Sequence, residues 1–157
     1  MNRYIPLIAL MVAASCGSPE QEAAPGTKQV AAPAEEIRDE TYRFSKAGLV
    51  EAKVVASNLG GKDFMPGGNF AEYEADGKKY QVFFTIRRNQ QQATFLSMDY
   101  RDVLADYKFI PHFGGFFGMD GDVPTLVFPK EKYVVGVTGL DLEDADQAGR
   151  LIAGYLN

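Results

Sequence analysis

Hydrophobic and polar positions divide the chain from residue 37 onward into short segments, each with its own period. KAGLVEAKVVASNL, from Lys46, places Leu49, Ala52, Ala56 and Leu59 at helical spacing with Val55 beside them. Ser45 is placed to cap a helix and Gly60-Gly61 to stop one, so the pattern predicts a helix over 46–59. The pair Val54-Val55 is stiff at χ1 and leaves a strand as the alternative. Beyond the Gly- and Pro-rich DFMPGGN, the segments FAEYEA and KYQVFFTIR alternate with period two and meet at Asp76-Gly77, a hairpin signal. Tyr80, Val82, Phe84 and Ile86 share one face of the second segment. The polar run RNQQQ predicts a turn, and ATFLSMDY after it a third strand. VPTLVF and KYVVGVT, joined around Pro129 and Lys130, predict a further hairpin. Asp141 then caps a helix, LEDADQAGRLIAGYL, with Leu142, Ala145, Ala148, Ile152 and Tyr155 on one stripe and Leu156 adjoining. Asp141, Glu143, Asp144 and Asp146 crowd its start, where carboxylates complement the helix dipole.

This order of elements predicts an α+β fold: an antiparallel sheet of about five strands, with N- and C-terminal helices packed on one face. Residues 37–157 hold 18 of the 19 aromatic residues and suffice for one self-supporting domain. Residues 17–36, GSPEQEAAPGTKQVAAPAEE, contain no aromatic residue and Val30 as the one large aliphatic. Such a stretch buries too little apolar surface to offset its ordering entropy and reads as a disordered tether. Twenty flexible residues have an end-to-end distance of roughly 25 Å.

The chain begins MNRYIPLIALMVAASCGSPE. Arg3 and the free amine precede a ten-residue apolar stretch, Ile5 to Ala14, too short to span a hydrocarbon core. Small residues Ala13, Ala14 and Ser15 then lead to Cys16, the one cysteine of the chain. This start resembles the export signal and lipobox of bacterial lipoproteins. The resemblance implies removal of residues 1–15 and acylation of Cys16, and two or more acyl chains give stable anchoring. Gly17, where the family's inner-membrane retention signal is Asp, implies the outer membrane on its periplasmic side, with the inner membrane as the alternative. The domain organisation is thus a signal peptide over 1–15, a lipidated cysteine with tether over 16–36, and a head over 37–157.

Loss of residues 1–15 removes Arg3, leaving 15 basic side chains against 21 acidic, a net charge near −6. An acidic balance disfavours nucleic acid, whose phosphates need clustered Lys and Arg. It also disfavours direct adhesion to anionic head groups, so the bilayer is reached through the lipid on Cys16. With one cysteine the head has no intrachain disulfide, even in an oxidising compartment.

The segment FIPHFGGFFGMDGD, Phe109 to Asp122, holds four phenylalanines, four glycines and the one histidine. It reads as an irregular loop. Glycine permits tight turns, and aromatics beside it either cap the core or grip a partner. His112, Phe113, Phe116 and Phe117 are therefore the candidate ligand or partner contacts. For catalysis His112 needs a nucleophile and an orienting acid, and the chain has no G-x-S-x-G elbow. One histidine without a free cysteine makes a poor zinc site. Asp120-Gly121-Asp122 could offer oxygen ligands to calcium but lacks the EF-hand's closing glutamate, and a turn explains the same residues. No P-loop, dinucleotide fingerprint or CxxCH occurs, so no cofactor and no metal is expected.

These features point to a non-catalytic lipoprotein, tethered in the periplasm, that binds another protein of the cell envelope. The alternatives are an inhibitor or immunity-type lipoprotein of a periplasmic enzyme, a small hydrolase built on His112, and a carrier of apolar ligands between sheet and helices.

Overall fold

A computed structural model describes residues 36–157, so the signal segment, Cys16 and all of the tether but Glu36 lie outside the described residues. Two helices and one antiparallel sheet make the fold α+β. The elements are β1 (Leu49–Ser57), β2 (Pro66–Ala75), β3 (Lys78–Ile86), α1 (Gln90–Arg101), β4 (Ala105–Ile110), β5 (Gly115–Asp120), β6 (Val123–Lys130), β7 (Tyr133–Thr138) and α2 (Leu142–Tyr155). The seven strands stand in the order β1-β2-β3-β7-β6-β5-β4. Two meanders thus meet where β3 pairs with β7, with Phe83 opposite Gly136 and Phe84 opposite Val135.

The central strands are apolar on both sides, which a single-faced sheet would not require. Val82 and Phe84 of β3, Leu126 and Phe128 of β6, and Tyr133, Val135 and Val137 of β7 are buried with Ala145, Ile152 and Leu156 around α2. The intervening Phe83, Val127 and Val134 are buried on the other side with Ala93, Leu96 and Tyr100 of α1. Neighbouring residues of a strand point to opposite faces, so the two helices cover opposite faces, not one face as the sequence suggests.

Each helix is completed by irregular chain over the first meander. On the α1 side, Leu59 and Met65 from the β1–β2 connection join the core. On the α2 side, a strap at residues 37–45 does so through Phe44, whose ring lies 5.1 Å from Phe84. Buried Asn69 of β2 holds this strap: its Oδ1 accepts from Glu40 N at 2.8 Å and its Nδ2 donates to Arg38 O at 3.0 Å. Arg43 then donates to the carbonyls of Tyr155 (2.6 Å) and Asn157 (3.3 Å), joining the strap to the end of α2.

Three sequence expectations are corrected. The run 46–59 holds strand β1 instead of a helix. A register shift between Leu49 and Glu51 sets Leu49 and Ala52 against the α2-side core, while Val55 packs on the α1-side core. Partial burial at 49, 52 and 55 therefore imitates a helical period on a two-sided sheet. ATFLSMDY lies in α1 instead of a strand: Asn89 Oδ1 accepts from Gln92 N at 2.9 Å, and Ala93, Leu96, Ser97 and Tyr100 form the buried face. Phe109 to Asp122 is the end of β4, a tight turn and β5, which raises the strand count from about five to seven. Gly114 and Gly121 serve turns at positive φ, whereas Gly115 and Gly118 serve close packing within the sheet. A Cβ on Gly115 would stand 2.3 Å from Phe128 Cβ, and one on Gly118 2.8 Å from the Ala105 carbonyl.

The closest approach in the centre is the Phe83 ring over Gly136, where a Cβ would meet the ring at 2.0 Å. Gly136→Ala is therefore expected to cost about 1–3 kcal/mol through overpacking, measured by urea denaturation. Phe83→Leu in the same chain should recover part of that loss.

Candidate functional site

The turn at Pro111–Gly114 brings His112 and Phe113 over α2. His112 Nε2 is hydrogen-bonded to Asp146 Oδ1, and Arg150 Nε donates to Asp146 Oδ2 at 2.6 Å. The His112 ring packs on Phe113 (centroids 4.4 Å apart), and Phe113 stacks on Phe128 at 4.3 Å. The Arg150 guanidinium lies 5.9 Å from the Phe113 centroid, a cation–π contact that closes the cluster. Its hydrogen bond with Arg150, then that with His112, hold the Asp146 carboxyl below the usual aspartate range. The cluster thus clips the β4–β5 turn to the surface of α2.

Of the residues picked from the sequence, Phe116 lies in the α1-side core at 8% exposure, too buried to reach a partner. Phe117 is half-buried against the α2-side core, as is Phe113. His112 remains exposed. The clefts beside His112 are lined on one side by Phe113, Lys130, Arg150 and Asn157, and on the other by Pro111, Leu142, Glu143 and Gln147. No hydroxyl or thiol side chain lines either of them.

A second polar cluster went unread in the sequence. Lys62 Nζ is 2.5 Å from Asp120 Oδ1, and the buried Tyr100 donates its hydroxyl to Asp120 Oδ2 at 3.2 Å. Burial, reinforced by the neighbouring carboxylate, raises the Tyr100 phenol well above its ordinary value. Asp120 therefore ties the β1–β2 connection and α1 to the end of β5. Asp120-Gly121-Asp122 supplies this latch and the β5–β6 turn, and no group of three or more potential metal ligands occurs among the described residues. A signal did exist, since Tyr100 ends the 93-96-97-100 helical spacing and its hydroxyl needs a partner once buried.

The third feature is apolar and exposed. Five of the twelve exposed large hydrophobic residues, Phe95, Met98, Val103, Tyr107 and Phe109, fall between α1 and β4. Phe95 and Met98 lie one turn apart on α1, and the next turn brings Arg101. The Arg101 guanidinium packs 5.9 Å from the Tyr107 centroid and 5.4 Å from that of Phe116. Tyr107 and Phe109 each rest 5.7 Å from the Phe116 ring. Buried Phe116 is thus the floor on which the exposed aromatics stand. Acidic Asp99, Asp102 and Asp106 occur in the same stretch, with Arg101 already bonded to Asp102 at 2.6 Å.

Between α2 and the sheet, the gap lined by Ser45, Tyr73, Tyr80, Val82, Leu151 and Tyr155 amounts to about 20 Å³, room for one water and not for an acyl chain. No helix among the described residues is long and apolar enough to cross a membrane.

The Asp146 cluster has a testable acid limb. A carboxyl with a depressed native pKa contributes its full stability above the ordinary aspartate value and loses it as pH falls through the native one. Asp146→Asn should therefore lower stability near neutral pH and flatten the decline on acidification, followed by thermal melts across the acid range. In comparisons with known proteins, no family model, no curated protein and no solved structure matches this chain.

Proposed function

We propose that the chain is a lipid-anchored, non-catalytic binding protein that holds another protein of the cell envelope at the periplasmic face of the outer membrane. The observation that carries the binding reading is the exposed pair Tyr107 and Phe109 standing on buried Phe116, with Arg101 of α1 packed against Tyr107 and exposed Phe95 and Met98 on the same helix. Surfaces of this kind, rimmed by charge, suit protein contacts. The anchor rests on the lipobox-like AASC at residues 13–16.

His112 serves this reading better as a clip than as a catalyst. Its ring nitrogen faces a carboxylate already bonded to Arg150, and the flanking clefts offer no nucleophilic hydroxyl or thiol. The contact site accordingly moves from the Phe113–Phe117 segment to the surface built on Phe116. Asp99, Asp102 and Asp106 favour a partner with a basic rim, which the inhibitor reading shares, and complementary charge would speed their encounter.

Two measurements test the proposal. Cys16→Ala should release the protein from the membrane fraction, and persistent membrane association would overturn the anchor. Tyr107→Ser and Phe109→Ser, made singly so that one ring still covers Phe116, should each weaken photo-crosslinking to the partner from position 108 while leaving the melting temperature nearly unchanged. Undiminished crosslinking would remove this surface from the binding function.

A further inference from the structure

Both edges of the sheet carry a register shift, and they differ in the length of regular strand left beside it. At β4, a register shift between Ala105 and Lys108, with Asp106 at φ 50°, breaks the regular row of backbone groups. Bulges of this kind blunt an edge against pairing. At β1, the shift lies between Leu49 and Glu51, and from Glu51 the strand follows β2 without interruption. It has nine residues and no proline, and β2 is its one strand neighbour among the described residues. Its outer row of N–H and C=O groups is a template for another strand.

We propose that two copies of this chain pair antiparallel along β1, about a two-fold axis through Ala52, and continue the sheet from one head into the next. In that register Glu51 of each copy stands opposite Lys53 of the other, and Ala52 meets Ala52. Val50 lies at the register shift, outside the regular stretch, so the match rests on residues 51–53. Within one chain Lys53 Nζ already contacts Glu51 Oε2 at 2.9 Å, so pairing extends one ion pair into a row of four alternating charges. The neighbouring registers lack this match. An axis through Lys53 sets lysine against lysine, and one through Val54 sets Lys53 against Val55. Charge complementarity therefore selects both the occupant and its alignment, as an isologous interface requires.

The pairing depends neither on the lipid anchor nor on the β4 surface, which lies at the opposite edge of the sheet. If those readings also hold, each assembly carries two anchors and two contact surfaces, and avidity follows.

The test uses the full chain with Cys16→Ser, which has no other thiol. Sedimentation from low-micromolar to sub-millimolar concentration should show a monomer–dimer equilibrium. Under mild oxidation Ala52→Cys should link to itself, whereas Val54→Cys should not. Glu51→Lys should weaken association by about tenfold, and adding Lys53→Glu should restore it. Both side chains are exposed, so at concentrations where the parent is monomeric the melting curves of these variants should match it. A monomer at every concentration, a dimer indifferent to Glu51→Lys, or self-linking through Val54→Cys instead of Ala52→Cys would overturn the proposal.

Discussion

Burial of β3, β6 and β7 on both faces is the constraint on which the remaining architecture depends. Successive side chains of a strand point in opposite directions, so Phe83 and Phe84 cannot share a core. Each face must receive its own cover, and the chain supplies a helix to each. Gly136 makes this arrangement tight, because the Phe83 ring occupies the space above it that a side chain would fill. The helices cover the centre and the far strands, while β2 and β3 are closed by the 37–45 strap on one side and the Leu59–Met65 connection on the other.

Polar groups do the fastening where irregular chain meets the sheet. Buried Asn69 satisfies two backbone groups of the strap, Arg43 reaches the last carbonyls of α2, and Asp120 receives both Lys62 and Tyr100. A buried polar side chain is stabilising only with its partners in place, so these contacts select one arrangement of strap and connection over others of similar apolar burial. They also account for the acidic and basic residues that might otherwise suggest chemistry. His112, the most conspicuous of them, is engaged in holding the β4–β5 turn to α2.

The two edges divide the functional possibilities. At β4 the backbone is bulged and the side chains are aromatic and exposed, which makes a surface for packing. At β1 the backbone is regular only from Glu51 onward, and its side chains are half-buried or exposed, which is the surface proposed for pairing. The proposed pairing and the proposed partner contact use opposite edges of the sheet, so neither blocks the other.

The β2–β3 hairpin and α2 were legible in the sequence through alternation, Asp76-Gly77 and the Asp141 cap, and the β6–β7 hairpin through two apolar runs joined around Pro129 and Lys130, all of them local signals. Helix α1 was obscured by Ser97, a polar residue on its buried face, and β1 by a bulge that spaced its half-buried residues three apart. The glycines of Phe109 to Asp122 signalled a loop; Gly114 and Gly121 do make turns, but Gly115 and Gly118 allow neighbouring side chains and backbone to approach β5. By itself, then, the sequence determined the elements whose period is set by their own turns and caps, together with the α+β class. Which phenylalanine lies in the core and which at the surface, and that the helices take opposite faces, only the tertiary structure decided. The physical reason is that a two-sided sheet assigns burial by the neighbours across it, and those neighbours are distant in the chain.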